Sequence, residues 1–324
     1  MPNIDESPQL IDIREDDLQS LSAEVLGTLL RDHTTGKNIF WATHDYEALG
    51  PAYDYHSAIL PELITGERGM VVQPRVLKSK ANQSDRSKDM AEVFTPSWIC
   101  NAQNNLVDDA MGLSSSPIGE KGRGPDWQDY VRTTCLEITC GEAPYLVSRY
   151  DTTTGEPIPI DQRTGLLDRK LRVISKYVED SNEWLVWARI AYQNIYGYEW
   201  QGDNLLIARK NLLYTFIEYY QAKFKSIPPM ESINEIADII SWNLWQMDGL
   251  KGVVPDSCHD VVSKQKPVQQ LDFFFSPEIS HESKPKVTPC SGCTEDNIYK
   301  HNGQYCKIYD WEKKKTIRFI DLIK

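Results

Sequence analysis

Residues 135–147 read Cys-Leu-Glu-Ile-Thr-Cys-Gly-Glu-Ala-Pro-Tyr-Leu-Val, and this stretch decides the fold of the chain. Its first part is apolar and rich in strand-forming residues, while Gly141 and Pro144 stand where a strand would have to turn. Glycine adopts the left-handed backbone that tight turns need, and proline cannot donate to a strand ladder. The stretch therefore predicts a strand, a tight turn and then a helix.

Outside this stretch, helical and strand patterns alternate along the chain. Residues 195–200 form a second β-branched and aromatic run. Thr95 and Pro96 predict the start of a helix that runs to about Met111, with Thr95 as its N-cap. Further helical patterns cover residues 22–31, 166–178, 182–194, 205–224 and a segment from Ile233, followed by a short segment at 244–250 and a C-terminal strand at 315–323. This alternation predicts an α/β fold with an open sheet flanked by helices.

Four segments, in chain order, resemble the cofactor motifs of adenine-specific DNA methyltransferases. Residues 91–96, Ala-Glu-Val-Phe-Thr-Pro, resemble the family's Gly-Glu-Val-Phe-Thr-Pro, and residues 137–146 resemble its Asp-Pro-Ala-Cys-Gly-Ser-Gly-x-Phe-Leu. Residues 196–199, Tyr-Gly-Tyr-Glu, resemble Gly-x-Glu at the end of its second strand. Residues 246–250, Gln-Met-Asp-Gly-Leu, resemble the weaker Gly-Asp-x-Leu element.

The resemblance implies a Rossmann-like S-adenosylmethionine-dependent methyltransferase sheet and a cofactor pocket built from these motifs. It implies that Thr95 helps to hold the amino-acid end of the cofactor, that Glu137 binds its ammonium group, and that Glu199 accepts hydrogen bonds from the ribose. Trp200 would stack on the adenine, and Asp248 would bind the adenine amine. The full set of expected cofactor-binding residues is Phe94, Thr95, Pro96, Glu137, Thr139, Gly141, Glu142, Glu199, Trp200 and Asp248.

Structural interpretations of the same residues stay open. A helix start explains Thr95 and Pro96, a strand turn explains Gly141, and Trp200 is of a type found more often in a core than at a cofactor. Ile138 and Ala143 replace a proline and a glycine of the family motif, so the loop must have a different shape. A nicotinamide dinucleotide is disfavoured, because the loop lacks Gly-x-Gly-x-x-Gly.

The catalytic turn of the family, Asn-Pro-Pro-Tyr/Phe, does not occur downstream of Leu250. The one Pro-Pro pair, Pro228-Pro229, follows Ile227 and is expected to link two helices. We therefore expect the modification (M) subunit of a restriction–modification system whose partner, a second methyltransferase or restriction subunit, supplies the turn. A degenerate gene product and a pseudo-enzyme that positions DNA are the other interpretations.

The C-terminal cysteines predict a metal site. Cys290-Ser-Gly-Cys293 has the knuckle spacing of zinc sites, and Cys258, His259, His301 and Cys306 are further ligand types nearby. The preferred set is Cys258, Cys290, Cys293 and Cys306, binding structural zinc; unbound thiols in a loop are the alternative. This suggests a second function, a non-catalytic zinc-stabilised DNA-binding or assembly subunit.

Charge and composition limit what can be expected of nucleic-acid binding, cellular location and domain organisation. A net charge of −12 argues against indiscriminate coating of nucleic acid, so any DNA contact must be local. The best candidate is the basic stretch with Arg75, Lys78, Lys80, Arg86 and Lys88, which equally fits a solvated loop. No signal peptide or apolar span is apparent, so we expect a cytoplasmic protein without membrane contact. The expected domains are an N-terminal extension (1–85), a methyltransferase-like cofactor-binding domain (86–257) and a C-terminal appendage (258–324).

Overall fold

The structure, a computed structural model, describes residues 13–80, 83, 86, 88, 94–111, 126–263 and 286–323. Residues 91–93 of the first motif lie outside the described residues. The described helices are α1 (Glu15–Leu21), α2 (Ala23–Leu30), α3 (Ser97–Ala110), α4 (Trp127–Arg132), α5 (Leu166–Tyr177), α6 (Ser181–Gln193), α7 (Gly202–Phe224), α8 (Met230–Asn243) and α9 (Ser291–Glu295). The described strands are β1 (Arg31–Asp32), β2 (Lys37–Asn38), β3 (Cys135–Glu137), β4 (Ile195–Glu199), β5 (Leu244–Gln246), β6 (Val261–Ser263), β7 (Lys286–Thr288), β8 (Lys307–Asp310) and β9 (Lys315–Arg318).

A parallel three-stranded sheet, in the order β3-β4-β5, organises the molecule. Cys135 lies opposite Ile195 in β4, and Gly197 lies opposite Leu244 in β5. Parallel neighbours need crossover connections, and helices α5 to α8 provide them. The expected mixed α/β architecture with helices flanking a parallel sheet is confirmed.

Helix α7 is the central element of the helical layer, because most of its residues are buried. Its first residue is Gly202, where a Cβ atom would come within 2.0 Å of the carbonyl oxygen of Phe40. In its middle, the fully buried Arg209 donates hydrogen bonds to the carbonyl oxygens of Leu29, Arg31, Ser241 and Leu244. This one guanidinium therefore joins the N-terminal segment to α7, α8 and β5.

The N-terminal segment shares the main hydrophobic core. Leu29 and Trp41 are completely buried in the same cluster as Leu206 of α7 and Ile236 of α8. Residues 13–80 are thus built onto the helical layer through apolar burial, the dominant favourable contribution to folding.

A second apolar cluster covers the other face of the sheet. Tyr198 of β4 and Trp245 of β5 contact Cys306, Ile308 and Phe319 from the C-terminal part of the chain. The antiparallel β8–β9 hairpin carries Ile308 in its first strand. The two faces of the sheet are therefore covered by different parts of the chain, the helices on one side and the C-terminal hairpin on the other.

Several predicted elements differ from the structure. The prediction of a helix after Gly141 is wrong, since residues 142–147 form turns. Ala143 has a left-handed backbone conformation, and Pro144 has no N–H to donate to a helical hydrogen bond. The C-terminal strand ends at Arg318, and a 3-10 turn, Phe319–Leu322, follows. The helix expected from Ile233 begins at Met230, directly after Pro229.

No helix in the described part of the chain is long and apolar enough to cross a membrane.

Candidate functional site

A cavity of about 960 Å³ lies at the carboxyl ends of β3 and β4. In open α/β sheets, ligands bind at this edge. The cavity is lined by seven of the ten residues expected to bind cofactor: Phe94, Thr95, Glu137, Thr139, Gly141, Glu199 and Trp200. Twelve further lining residues were not among the expected cofactor-binding residues, and four of them have amide side chains: Gln103, Asn104, Gln201 and Asn204.

The loop after β3 forms one wall of the cavity, and every second residue in it has a left-handed backbone conformation. Thr139, Gly141 and Ala143 all have positive φ values, 45°, 52° and 63°. At Gly141 a Cβ atom would meet the Phe94 ring at an ordinary 3.6 Å, so the backbone conformation, not lack of space, favours glycine. The left-handed conformations of Thr139 and Ala143 are each unfavourable by about 1 kcal/mol, which the surrounding contacts must offset.

Glu199, the last residue of β4, holds this loop in place. Its Oε2 atom accepts a hydrogen bond from the N–H of Gly141 at 2.8 Å, and its Oε1 atom accepts one from the N–H of Gln201 at 3.2 Å. The N–H of Cys140 donates to the carbonyl oxygen of Tyr198 at 2.8 Å. The glycine turn and the acid at the strand end are therefore parts of one hydrogen-bonded unit.

Glu137, the last residue of β3, closes the loop from the other side. Its two carboxyl oxygens accept hydrogen bonds from the N–H groups of Tyr145 at 3.3 Å and Leu146 at 3.2 Å. Burial raises the pKa of Glu137 to about 8, with Glu199 contributing, although the two N–H donors oppose the shift. The carboxyl group is thus held largely protonated at neutral pH.

The raised pKa of Glu137 predicts a pH-dependent stability. A carboxyl group with a higher pKa in the folded chain than in the unfolded chain stabilises the fold most at low pH. That contribution is lost as the pH rises through about 8. From about pH 5 to pH 8, wild-type chain should lose up to about 1.4 kcal/mol of unfolding free energy per pH unit relative to Glu137→Gln.

Urea denaturation at several pH values measures this difference. The same substitution at the exposed Glu183 on α6 should follow the wild-type pH profile. A constant difference between wild type and Glu137→Gln across this range would contradict the raised pKa.

Helix α3 begins one residue later than expected, and Thr95 is not its cap. The helix begins at Ser97, and the Asp151 carboxylate accepts hydrogen bonds from both the N–H and the hydroxyl of Ser97 at 2.7 Å. The carbonyl oxygen of Thr95 accepts a hydrogen bond from the hydroxyl of Thr152. An acid from a distant loop thus supplies the negative charge that helix N-termini favour, and Thr95 faces the cavity.

Three of the expected cofactor residues do not line the cavity. Glu142 is buried, and its carboxylate accepts hydrogen bonds from the N–H of Arg75 and the hydroxyl of Tyr150. Asp248 accepts the N–H groups of Leu250 and Lys251 in the turn after β5. Pro96 directly precedes Ser97, the first residue of α3. In this structure, Glu142 and Asp248 serve as buried hydrogen-bond acceptors for loops.

Trp200 lies at the rim of the cavity and is half-buried. Its indole N–H donates to the hydroxyl of Tyr55 at 2.9 Å, and the amide of Gln246 donates to its carbonyl oxygen at 2.8 Å. The N-terminal segment and β5 therefore fix the position of this ring.

The basic stretch is mostly tied to the protein. Lys78 and Arg86 both donate to the fully buried carboxylate of Asp203, at 2.9 and 2.8 Å. Burial alone would raise the pKa of Asp203, but the two cations hold it well below its usual range. Lys80 and Lys88 are exposed, and Lys88 lines the cavity. Lys78 and Arg86 are therefore neither part of a solvated loop nor available to DNA phosphates.

A second group of functional side chains lies in the C-terminal part. Ligand atoms of Cys258, Cys290, Cys293 and His301 all lie within 4.8 Å of one another, a group that could hold a metal ion. Cys306, the expected fourth ligand, is instead buried in the apolar cluster on the sheet, and its thiol donates to the carbonyl oxygen of Gln246. His301 takes its place. Gly303 follows His301 at the spacing that Gly292 has after Cys290, and this repeated ligand-x-Gly pattern was the available sequence signal.

Comparisons with known protein families, with curated proteins and with solved structures found no match to this chain.

Proposed function

We propose that this chain is the S-adenosylmethionine-binding part of an adenine-specific DNA methyltransferase, the modification subunit of a restriction–modification system. One observation carries the proposal: Thr95, Gly141 and Glu199, from three motifs far apart in sequence, line a single cavity. Gly141 and Glu199 meet there because the carboxyl ends of parallel strands share one edge, and Thr95, shortly before α3, lies at the same edge.

The cavity has the size and chemistry that such a cofactor requires. Its volume of about 960 Å³ lies within the range of small-molecule sites, about 300 to 1,000 Å³. A carboxylate at the end of a sheet strand is the group that binds ribose hydroxyls in related sheets, and Glu199 has that position. The amide side chains of Gln103, Asn104 and Asn204 add donors and acceptors to a lining that mixes polar and apolar side chains. When bound, the cofactor would supply an activated methyl group.

The chain's own residues would bind and orient the cofactor. The catalytic turn that would hold the target base does not occur downstream of Leu250. Adenine methylation needs a flipped base held close to the methyl group. Among the described residues β3 is an edge strand, and Leu136 and Ile138 beside it are 43% and 63% exposed. In doubly wound sheets another strand lies beyond this position, next to the ligand site. We expect the partner's catalytic segment to approach this edge.

Replacing Glu199 tests the proposed cofactor site. Glu199→Gln should weaken S-adenosylmethionine binding by about 10- to 100-fold, because hydrogen bonds to a charged group contribute about 1.5 to 3 kcal/mol. Isothermal titration calorimetry measures the dissociation constants of both chains.

The matched control for this experiment is Glu142→Gln in the same loop. Its carboxylate points at Arg75 and Tyr150, outside the cavity, so affinity should stay within about threefold of wild type after correction for folded fraction. Equal losses in both variants would indicate a general disturbance of the loop and would count against a ribose-binding role of Glu199.

The group Cys258, Cys290, Cys293 and His301 favours a second candidate, a zinc-stabilised DNA-binding or assembly subunit without catalysis. This candidate predicts zinc in the purified chain and salt-sensitive DNA binding. It predicts no binding of S-adenosylmethionine, which separates it from the first.

A further inference from the structure

We infer that Cys258, Cys290, Cys293 and the Nδ1 atom of His301 form a closed tetrahedral zinc site that folds the C-terminal part of the chain onto the sheet. This inference goes beyond the proposed cofactor site and does not depend on it.

The sulfur–nitrogen distances within the group match those of a tetrahedral zinc site. The three thiol sulfurs lie 3.5, 3.7 and 3.6 Å from the Nδ1 atom of His301, in the order Cys258, Cys290 and Cys293. Zinc bonds of about 2.3 Å to sulfur and about 2.05 Å to nitrogen give a sulfur–nitrogen separation of about 3.5 to 3.6 Å in an ideal tetrahedron. All three observed distances agree with that value to within about 0.2 Å.

Hydrogen bonding alone does not explain this arrangement. The Nδ1 atom of an imidazole carries either one proton or one lone pair, so it forms one good hydrogen bond. Three sulfurs arranged around it at nearly equal distances leave two of those contacts unexplained. A metal ion bound by all four atoms explains the three contacts together.

Two glycines allow the ligands to approach this closely. A Cβ atom at Gly292 would come within 2.5 Å of the backbone nitrogen and 2.6 Å of the Nδ1 atom of His301. A Cβ atom at Gly303 would come within 3.0 Å of the sulfur of Cys258. The N–H of Asn302 donates to the sulfur of Cys290 at 3.3 Å, a contact of the kind that orients ligands around metals. The backbone on both sides is thus shaped around the same central point.

The ligand types identify the ion and its role. Three thiolates and one imidazole in a tetrahedron are typical of zinc, and four protein ligands leave no open coordination position for a substrate. The site is therefore structural.

The ligands join three segments that have little core of their own. Cys258 follows the turn after β5, Cys290 follows β7, and His301 precedes β8. Most side chains around them, including Ser291, Thr294 and Tyr299, are exposed. Immediately beyond His301, Cys306 and Ile308 enter the apolar cluster on Tyr198 and Trp245. The ion therefore supplies the folding free energy that holds this cover in register.

Metal analysis of single variants tests the inference. The wild-type chain should contain one zinc per chain, and Cys290→Ser or His301→Ala should lower zinc affinity at least about 100-fold, since loss of outer-shell contacts alone gives about 10- to 100-fold. Affinity is measured by competition with a chromophoric chelator. The matched controls are Cys306→Ala and His259→Ala, which remove the same residue types outside the group and should keep the metal.

Because a single variant can lose zinc simply by misfolding, cobalt binding provides a second, spectroscopic test of the ligand set. Cobalt in the wild-type chain should show the visible bands of a tetrahedral thiolate site, and His301→Cys should restore binding with a spectrum shifted toward that of four thiolates. A wild-type chain that binds neither zinc nor cobalt would overturn the inference. Loss of metal in Cys306→Ala but not in His301→Ala would also overturn it.

Discussion

Removal of the metal by a chelator is expected to unfold the C-terminal part of the chain while the parallel sheet stays folded. Structural zinc contributes on the order of 10 kcal/mol to small domains, and residues 290–305 have few buried apolar side chains to replace it. Hydrogen–deuterium exchange should show the amides of residues 290–308 becoming fast after chelation. Amides of α7 should remain protected, because that helix is buried in the main core.

Re-addition of zinc is the control, and it should restore protection in full. Partial exposure of Trp245 is expected in the metal-free chain, since Ile308 and Phe319 cover it. If protection of residues 290–308 is the same with and without metal, the ion does not fold this part, and the proposed structural role is wrong.

Replacing Asp203 by alanine should lower the free energy of unfolding by about 3 to 5 kcal/mol, because removal of one partner leaves buried charge uncompensated. The Asp203 carboxylate accepts hydrogen bonds from Lys78, Arg86 and the hydroxyl of Tyr46, and Arg86 also contacts Asp45. Asp203 is the carboxylate that Lys78 and Arg86 share, whereas Asp45 contacts only the second of these two cations among the described residues.

Urea unfolding followed by circular dichroism measures this loss. Asp45→Ala is the matched control: its side chain is 35% exposed, and Arg86 is its one ion-pair partner among the described residues, so the expected loss is below about 2 kcal/mol. Equal effects of the two substitutions would contradict the central role assigned to Asp203.

The parallel sheet was predictable from sequence because its signals are local. The strand at 135–137, the run at 195–199 and the helices between them each have their own periodicity, and parallel strands need such crossovers. Convergence of Gly141 and Glu199 on one cavity follows from the same topology, since carboxyl ends of parallel strands meet at one edge.

Features that depend on partners distant in sequence were not predictable. Lys78 and Arg86 look like solvated cations until Asp203, more than 100 positions later, is placed beside them. Glu142 looks like a cofactor ligand until Tyr150 and the N–H of Arg75 are found at its carboxylate. In both cases the side chain is an ordinary one, and only the tertiary structure shows what it contacts.

The proposed metal ligands were predictable from local sequence in part, and in part depended on the tertiary structure. The Cys-x-x-Cys spacing predicted Cys290 and Cys293, and the choice of Cys258 also agrees with the group in the structure. Cys306 and His301 are five positions apart, and either could have completed the set. Apolar burial of Cys306 against the sheet decides between them, and such burial is not visible in the sequence.

The cavity and the group Cys258, Cys290, Cys293 and His301 lie in different parts of the molecule, and Gln246 of β5 links the C-terminal cover to the cavity rim. Gln246 of β5 accepts the thiol of Cys306 at its carbonyl oxygen, and its side-chain amide donates to the carbonyl oxygen of Trp200 at the cavity rim. The C-terminal cover therefore contacts the strand that supports the cavity.

Photo-crosslinking of radiolabelled S-adenosylmethionine to the wild-type chain tests the central claim most directly. We predict saturable labelling that S-adenosylhomocysteine competes away and NAD does not, with the label in peptides that contain residues 139–145 or Trp200. Absence of competable labelling at millimolar cofactor, or labelling confined to other parts of the chain, would contradict the claim that this cavity binds S-adenosylmethionine.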